Sequence, residues 1–462
     1  MLLNYYEESV IKNTKLPDEW QSQSSLDELA TFLQLNWEQR AVFYNDGQIS
    51  SRQQFLEFTA HKGIRTKNYI GTIVFKGQQL NIFPKVFRSE KDDNDTEDLS
   101  VKHLMLNLVN WLEYCNKFDY PYINITSELD NSSDLRELFI TLYLRYVKSA
   151  LDRGLFYRYE EKTEDCTSIK GKFDIKDYIT RKIPNGQMDK FLCTFSNFEF
   201  NNTLNQIIKY TCKELFKDAS KSNQKIIRLI LMKLNDVSDV RCTPQDCDKI
   251  RLSKLHKNYS VILSMSKVFL LNKTTTYNMD DTESFCFLFP TAVLFEGFIG
   301  GFMQSVLAGS AKVKLQASDE SVFSNIMYGG KSFGKSLRMK HDILVEHKEK
   351  GVFILDTKYK MVNRFADSDD IKQAVSDEIS SSDIYQVITY ARTRGLRDVY
   401  LLYPLFRYED IEPSNPIGIN ATKTGDAPIN VHLIRLPFIF EDDVDKTKSM
   451  LTNVINSIFI NG

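Results

Sequence analysis

Apolar and polar positions change rhythm as this chain proceeds, and each rhythm predicts a different kind of element. Residues 69–85 read Tyr-Ile-Gly-Thr-Ile-Val-Phe-Lys-Gly-Gln-Gln-Leu-Asn-Ile-Phe-Pro-Lys, two short alternating runs around Lys76-Gly77. That pattern predicts a β-hairpin in a β-rich first hundred residues with short helices between. The acidic, polar stretch from Ser89 to Ser100 breaks it and suits an exposed loop or linker. From Val101 the period becomes helical, with Leu104, Leu108, Leu112 and Cys115 on one face. Similar runs predict helices at Leu135 to Leu151, Asn201 to Phe216, Gln224 to Val237 and Leu252 to Leu271. Between them, Arg153-Gly154-Leu155 and Ile169-Lys170-Gly171-Lys172-Phe173-Asp174 predict an extended excursion.

Beyond Thr275 the order becomes mixed. A helix is expected at Ala292 to Leu307, then strands around Lys312 to Gln316, Leu337 to Glu346 and Val352 to Tyr359. A polar loop (Ala366 to Ser382), a helix (Asp383 to Arg392) and a strand (Val399 to Tyr403) follow. Such alternation argues for an α/β domain on a mixed sheet flanked by helices. The expected organisation is a β-rich N-terminal domain (1–100), a mainly helical middle domain (101–275) and an α/β C-terminal domain (276–462).

Length agrees, since 462 residues exceed one compact core. Composition, 42% hydrophobic and 26% charged, is that of a globular protein. A formal net charge of -2 excludes a protein that coats itself in nucleic acid, so DNA contact requires a local basic patch or a partner. Seven cysteines without a CxxC pair, six scattered histidines and no signal peptide point to a reducing cytoplasm and no zinc site. The most apolar segment, Phe285 to Ala308, is interrupted by Pro290, Glu296 and Gln304, which favours a buried core helix over a membrane span.

The candidate chemistry lies in two of the predicted strands. Asp342 lies in the apolar run His341-Asp342-Ile343-Leu344-Val345, and Val352-Phe353-Ile354-Leu355 ends in Asp356-Thr357-Lys358. Side chains alternate along a strand, so Asp356 and Lys358 project from one face. Two carboxylates suit a hard cation such as Mg2+, and an ammonium beside them can orient water or offset charge on a phosphate. On these three residues alone, strand-ending acids and a solvated lysine are the favoured reading. Glu296 changes the balance, because a carboxylate inside an apolar helix is costly to bury unpaired and a nearby cation would relieve it. Gln386 and Tyr390 add to it, being four apart and so on one helical face.

With these residues in place, 280–405 resemble the PD-(D/E)xK nuclease superfamily, and Gln386-Val387-Ile388-Thr389-Tyr390 resembles the QxxxY element of its RecB-like branch. The whole chain resembles the McrC family, nuclease subunits of McrBC-type, 5-methylcytosine-dependent restriction systems. That wider likeness rests on Gly71-Thr72-Ile73 through Ile82-Phe83-Pro84-Lys85, on Arg153-Gly154-Leu155, on Ile169 to Lys172 and on Phe198 to Asn205. It implies that Asp342 and Asp356 are metal ligands and Lys358 the catalytic lysine, with Glu296 as the helix acid and Gln386 and Tyr390 assisting. His341 stands where the pattern has proline, and Asp356 where it often has glutamate. The resemblance further implies Mg2+ as cofactor and an McrB-like AAA+ GTPase hexamer as partner. That partner would bind the GTP and recognise modified cytosine in double-stranded DNA, and no membrane is involved. Arg65, Lys67 and Lys76 are candidate partner contacts.

Two other readings compete. Gly329-Gly330-Lys331-Ser332-Phe333-Gly334-Lys335-Ser336 matches the phosphate-loop pattern G-x-x-x-x-G-K-[ST]. Such a loop needs a helix N-terminus after it, whereas Leu337 to Val345 reads as a strand. The segment is then a basic turn near DNA, with Lys331, Lys335, Arg338 and Lys340 supplying charge, or a plain solvated hairpin. The other is a catalytically silent adaptor that only binds and stimulates a GTPase; the intact acids and lysine speak against it.

Overall fold

The hairpin forms where the alternation places it. The structure, a computed structural model, describes residues 2–38, 51–59, 63–88, 101–115, 135–217, 219–252, 256, 258–277, 284–318, 321–323, 327–328, 331–332, 336–360, 362, 379–405, 419–420, 429–441 and 443–460. The acidic stretch 89–100 and most of the polar loop expected at 366–382 lie outside these residues. Strand β1 (Leu2–Tyr6) runs parallel to β3 (Gln78–Phe83), and β3 pairs antiparallel with β2 (Tyr69–Phe75). Lys76 and Gly77 turn the hairpin with φ of 50° and 70°, the left-handed pair that matches the twist of two strands.

A fourth strand, β4 (Phe285–Pro290), completes this sheet by pairing antiparallel with β2. The apolar stretch from Phe285 is thus divided. An aromatic run that is buried throughout forms the strand, and the helix starts only after Pro290, which has no N–H for a ladder and a φ suited to a helix start. Gly71, at φ 138°, allows the close pairing: a Cβ there would stand 2.1 Å from the Phe287 carbonyl oxygen.

Because β4 belongs to the N-terminal sheet and leads directly into C-terminal elements, the chain forms two units where three were expected. Met1–Leu135 and Thr282–Gly462 make one, Arg136–Asp281 the other. Helix α1 (Val101–Tyr114), expected in the middle domain, packs in the first unit: its Trp111 ring stacks on Phe438 at 4.2 Å and its indole N–H donates to the Phe438 carbonyl.

The first unit also contains a six-stranded mixed sheet. Its strands are β5 (Ala311–Ala317), β6 (His341–His347), β7 (Gly351–Thr357), β8 (Asp398–Pro404), β9 (Ile419–Asn420) and β10 (Asn430–Leu436). Their spatial order is β5-β6-β7-β8-β10-β9, antiparallel from β5 to β7 and parallel from β7 through β8 to β10. Helix α2 (Thr291–Val306) packs near β5, where a Cβ on Gly300 would touch Leu315. Helix α3 (Ser381–Arg394) lies on the sheet face of Leu344, Ile354, Val399 and Leu401, burying Val387 and Ala391 among them. Helix α4 (Val444–Ile460), not foreseen from the sequence, contributes Phe459, edge-on to Phe353 at 4.9 Å. No helix among the described residues is long and apolar enough to cross a membrane.

The second unit holds helices Leu135–Arg153, Thr203–Leu215, Lys221–Lys233 and Asn258–Tyr277 around buried Phe139, Tyr143, Ile207, Ile208 and Ile262. The extended excursion is there as a sheet in which Phe191–Glu199 pairs with Arg158–Cys166 and with Lys172–Phe173. The Phe198 to Asn205 motif has a structural role. Asn202 caps the helix by accepting from the Asn205 N–H, and both amides donate to the Phe156 carbonyl.

Candidate active site

The expected acids meet at one end of the six-stranded sheet. The register that sets Ile343 opposite Leu355 brings Asp342 and Asp356 abreast one step further on. Thr357 fixes the first acid: its N–H and its hydroxyl both donate to Asp342 Oδ2, each at 2.9 Å. Asp356 is 1% exposed, near the end of a strand in which Phe353, Ile354 and Leu355 before it are buried. Burial, with the Asp342 carboxylate second, pushes its pKa up to about 6 against the pull of Lys358.

Lys358 lies beside it, Nζ 2.6 Å from Asp356 Oδ2. That contact is the charge balance of a buried oxygen. Burial works against the lysine's charge, yet Asp356, with Asp383 and Asp342 behind it, holds its pKa above the usual value. Gln386 from α3 clamps the pair. Its Oε1 accepts from Lys358 Nζ at 3.1 Å while its Nε2 faces Asp356 Oδ1 at 3.5 Å. Tyr390 then anchors Gln386, accepting from Nε2 at 2.7 Å and donating its own proton to the Lys340 carbonyl at 3.0 Å. The pair four apart on the helix therefore reaches the acids and the lysine.

Glu296, half-buried on α2, joins this group indirectly. Its Oε1 accepts a hydrogen bond from Gln316 Nε2, and the same nitrogen stands 3.5 Å from Asp342 Oδ1. Gln316 has a φ of 52°, a left-handed conformation that costs a non-glycine residue about 1–3 kcal/mol and gathers at functional sites. Asp383 at the start of α3 is a second residue the sequence reading missed: 7% exposed, it lies 3.9 Å from Lys358 Nζ and pairs with Lys360. Neither carries a sequence signal, since each matters only through what the fold sets opposite it.

The donor set suits a hard cation in part. Two carboxylates abreast on neighbouring strands, one of them buried, are the oxygen ligands such an ion takes. Among the described residues, however, no group of three or more His, Cys, Asp or Glu converges as a metal site, so Glu296 does not close on the two aspartates.

The proposed basic turn is only partly described. Lys331 and Lys340 are exposed, and Lys335 and the Arg338 side chain lie outside the described residues. Ser336 opens a strand, Ser336–Arg338, paired with Ser321–Phe323, so no helix N-terminus follows the phosphate-loop pattern. Of the candidate partner contacts, Arg65 is exposed, Lys67 pairs with Glu57, and Lys76 lies 2.6 Å from Glu28.

Fold and site together define an α/β protein with an acidic, lysine-bearing cluster at the strand ends of a mixed sheet. The chain belongs to the family described as McrBC 5-methylcytosine restriction system component, whose model matches residues 64–404. Among solved structures it is similar to a chain of the refined half-complex from the tetradecameric assembly of Thermococcus gammatolerans McrB AAA+ hexamers with bound McrC. That likeness has a TM-score of 0.61 at 16% identity and covers 99% of this chain and 100% of that one, which shows a shared fold. A chain of the cryo-EM structure of the Thermococcus gammatolerans McrBC complex matches with a TM-score of 0.46 and 18% identity, over 66% of this chain and 88% of that one. No curated protein matches the chain.

Proposed function

We propose that this protein is the nuclease subunit of a modification-dependent restriction system: a Mg2+-dependent endonuclease of the PD-(D/E)xK type that cuts double-stranded DNA carrying modified cytosine. It acts in the cytoplasm on an McrB-like AAA+ GTPase hexamer, stimulates that partner's GTP hydrolysis and binds no GTP itself. One observation carries the chemistry: Asp342 and Asp356 abreast on paired strands, with Lys358 2.6 Å from Asp356 Oδ2. Family membership and the McrB-bound McrC named in the similar structure support the partner.

Asp342 and Asp356 would hold Mg2+, and Glu296, joined to Asp342 through Gln316, would serve as base. When bound, the cation would supply charge that activates water and offsets the negative charge building on the scissile phosphate. Thr357 fixes the Asp342 carboxylate for that task, and Lys358 orients the water for in-line attack. Gln386 keeps the ammonium turned to the site, and Tyr390 keeps Gln386 in place. A near-neutral subunit whose DNA is delivered by a partner needs no extensive basic surface of its own.

The test is cleavage of methylated plasmid with Mg2+ by the chain alone, and with the AAA+ partner and GTP, using Asp356→Ala as control. Cutting is expected only with the partner and GTP, and Asp356→Ala should reduce it to background while partner binding and GTPase stimulation persist. Loss of cutting and stimulation together would make Asp356 structural. Absence of cutting in every combination, with GTP hydrolysis still accelerated, would favour the adaptor.

A further inference from the structure

Gln316 is placed by two features that act together. It sits between the registered pairs Leu315 with Ile343 and Ala317 with His341, and so stands across from Asp342. Its left-handed backbone interrupts an otherwise regular strand at that step. The amide nitrogen contacts both Glu296 and Asp342, two acids that would otherwise repel each other. The amide oxygen at the other corner of the same group is buried and accepts no hydrogen bond among the described residues.

A buried carbonyl oxygen without a partner is costly, and a half-turn of the terminal amide exchanges the two atoms without moving the rest of the side chain. Without a cation, the nitrogen faces the carboxylates because a donor is what two anions require. Beside a divalent cation the same nitrogen would be repelled, whereas a Gln carbonyl is an ordinary oxygen ligand for a hard ion. Resting on the metal-site reading above, we propose that Gln316 is a switchable neutral ligand. Its amide nitrogen bridges Glu296 and Asp342 when the site holds no cation, and its amide oxygen turns to the ion when one binds. This supplies a third oxygen ligand where no third carboxylate converges, and it gives Glu296 its link to the site.

Calorimetric titration of the full chain with Mg2+ alone, without DNA or partner, tests this together with melting temperatures in EDTA. Wild type should bind and Asp342→Ala should not. Gln316→Ala should bind roughly tenfold more weakly, the scale on which supporting residues tune metal affinity, and should melt lower in EDTA because two carboxylates lose their bridge. Gln316→Glu, which keeps the shape, should melt lower still in EDTA and gain more from Mg2+ than wild type. Equal Mg2+ affinity of wild type and Gln316→Ala overturns the proposal while leaving the metal site standing, as does a Gln316→Glu that gains no more from Mg2+ than wild type. Absence of Mg2+ uptake by wild type overturns both.

Discussion

Asp356 shows how burial turns an ordinary residue into a conditional one. Its folded pKa, about 6, lies above the ~3.9 of a free aspartate, so the folded protein binds this proton more tightly than the unfolded chain. The resulting contribution to stability is fully present below about pH 4 and is lost as pH rises through about 6. In EDTA, wild type should therefore lose melting temperature relative to Asp356→Asn between about pH 4 and 6, and added Mg2+ should reverse the loss. Parallel profiles for the two proteins would show that the carboxyl is not strained. At the same scale, Gln386 and Tyr390 were legible because helical spacing puts residues four apart on one face. Gln316 and Asp383 were not, because a strand glutamine and a helix-first-turn aspartate look alike whether they face solvent or a charge.

At the scale of elements, two contacts tie the N-terminal sheet to the strands that bear the site. The first is the close pairing of β2 with β4 at Gly71. Gly71→Ala should cost about 2 kcal/mol or more, combining left-handed strain of about 1–3 kcal/mol with an overlap that backbone cannot relieve. Gly77→Ala, also left-handed but with nothing near its added Cβ, should cost about 1 kcal/mol. Urea unfolding of both variants checks the contrast, and equal costs would remove the role given to β4. The second contact is buried Glu7, which accepts from the Tyr359 hydroxyl at 2.6 Å, the Lys85 N–H at 2.9 Å and the Thr291 hydroxyl at 2.9 Å. It thereby holds the residue after Lys358 and the first residue of the Glu296 helix. Tyr359→Phe keeps the ring contacts with Phe295 and Phe438 but deprives a buried carboxylate of a donor, at a cost of about 1–3 kcal/mol. Its DNA cleavage rate should fall while DNA affinity stays at the wild-type level; an unchanged rate would confine Glu7 to holding the fold.

For the whole molecule, these links mean that N- and C-terminal sequence form one unit. Deleting residues 1–88 should leave no folded nuclease: β4 would lose its neighbour, Tyr359 its partner, and the cooperative melt of the remnant by circular dichroism should be that of residues 136–281 alone. A stable, Mg2+-binding fragment of residues 282–462 would refute this. Residues 136–281, with an apolar core of their own, should fold and melt cooperatively when expressed alone.

Local chemistry was readable from the chain by itself. Alternation and turn residues set the hairpin at Lys76-Gly77, helical spacing set the middle helices, and strand periodicity put Asp356 and Lys358 on one side. Those signals act over a few residues, where backbone geometry dictates which side chains share a face. Tertiary structure alone decided that Phe285–Pro290 joins the sheet begun at Leu2, that Gln316 stands between Glu296 and Asp342, and that Glu7 reaches Tyr359. Contacts between residues so far apart leave no periodicity in the sequence, because they depend on register and on which apolar faces find each other when the core closes.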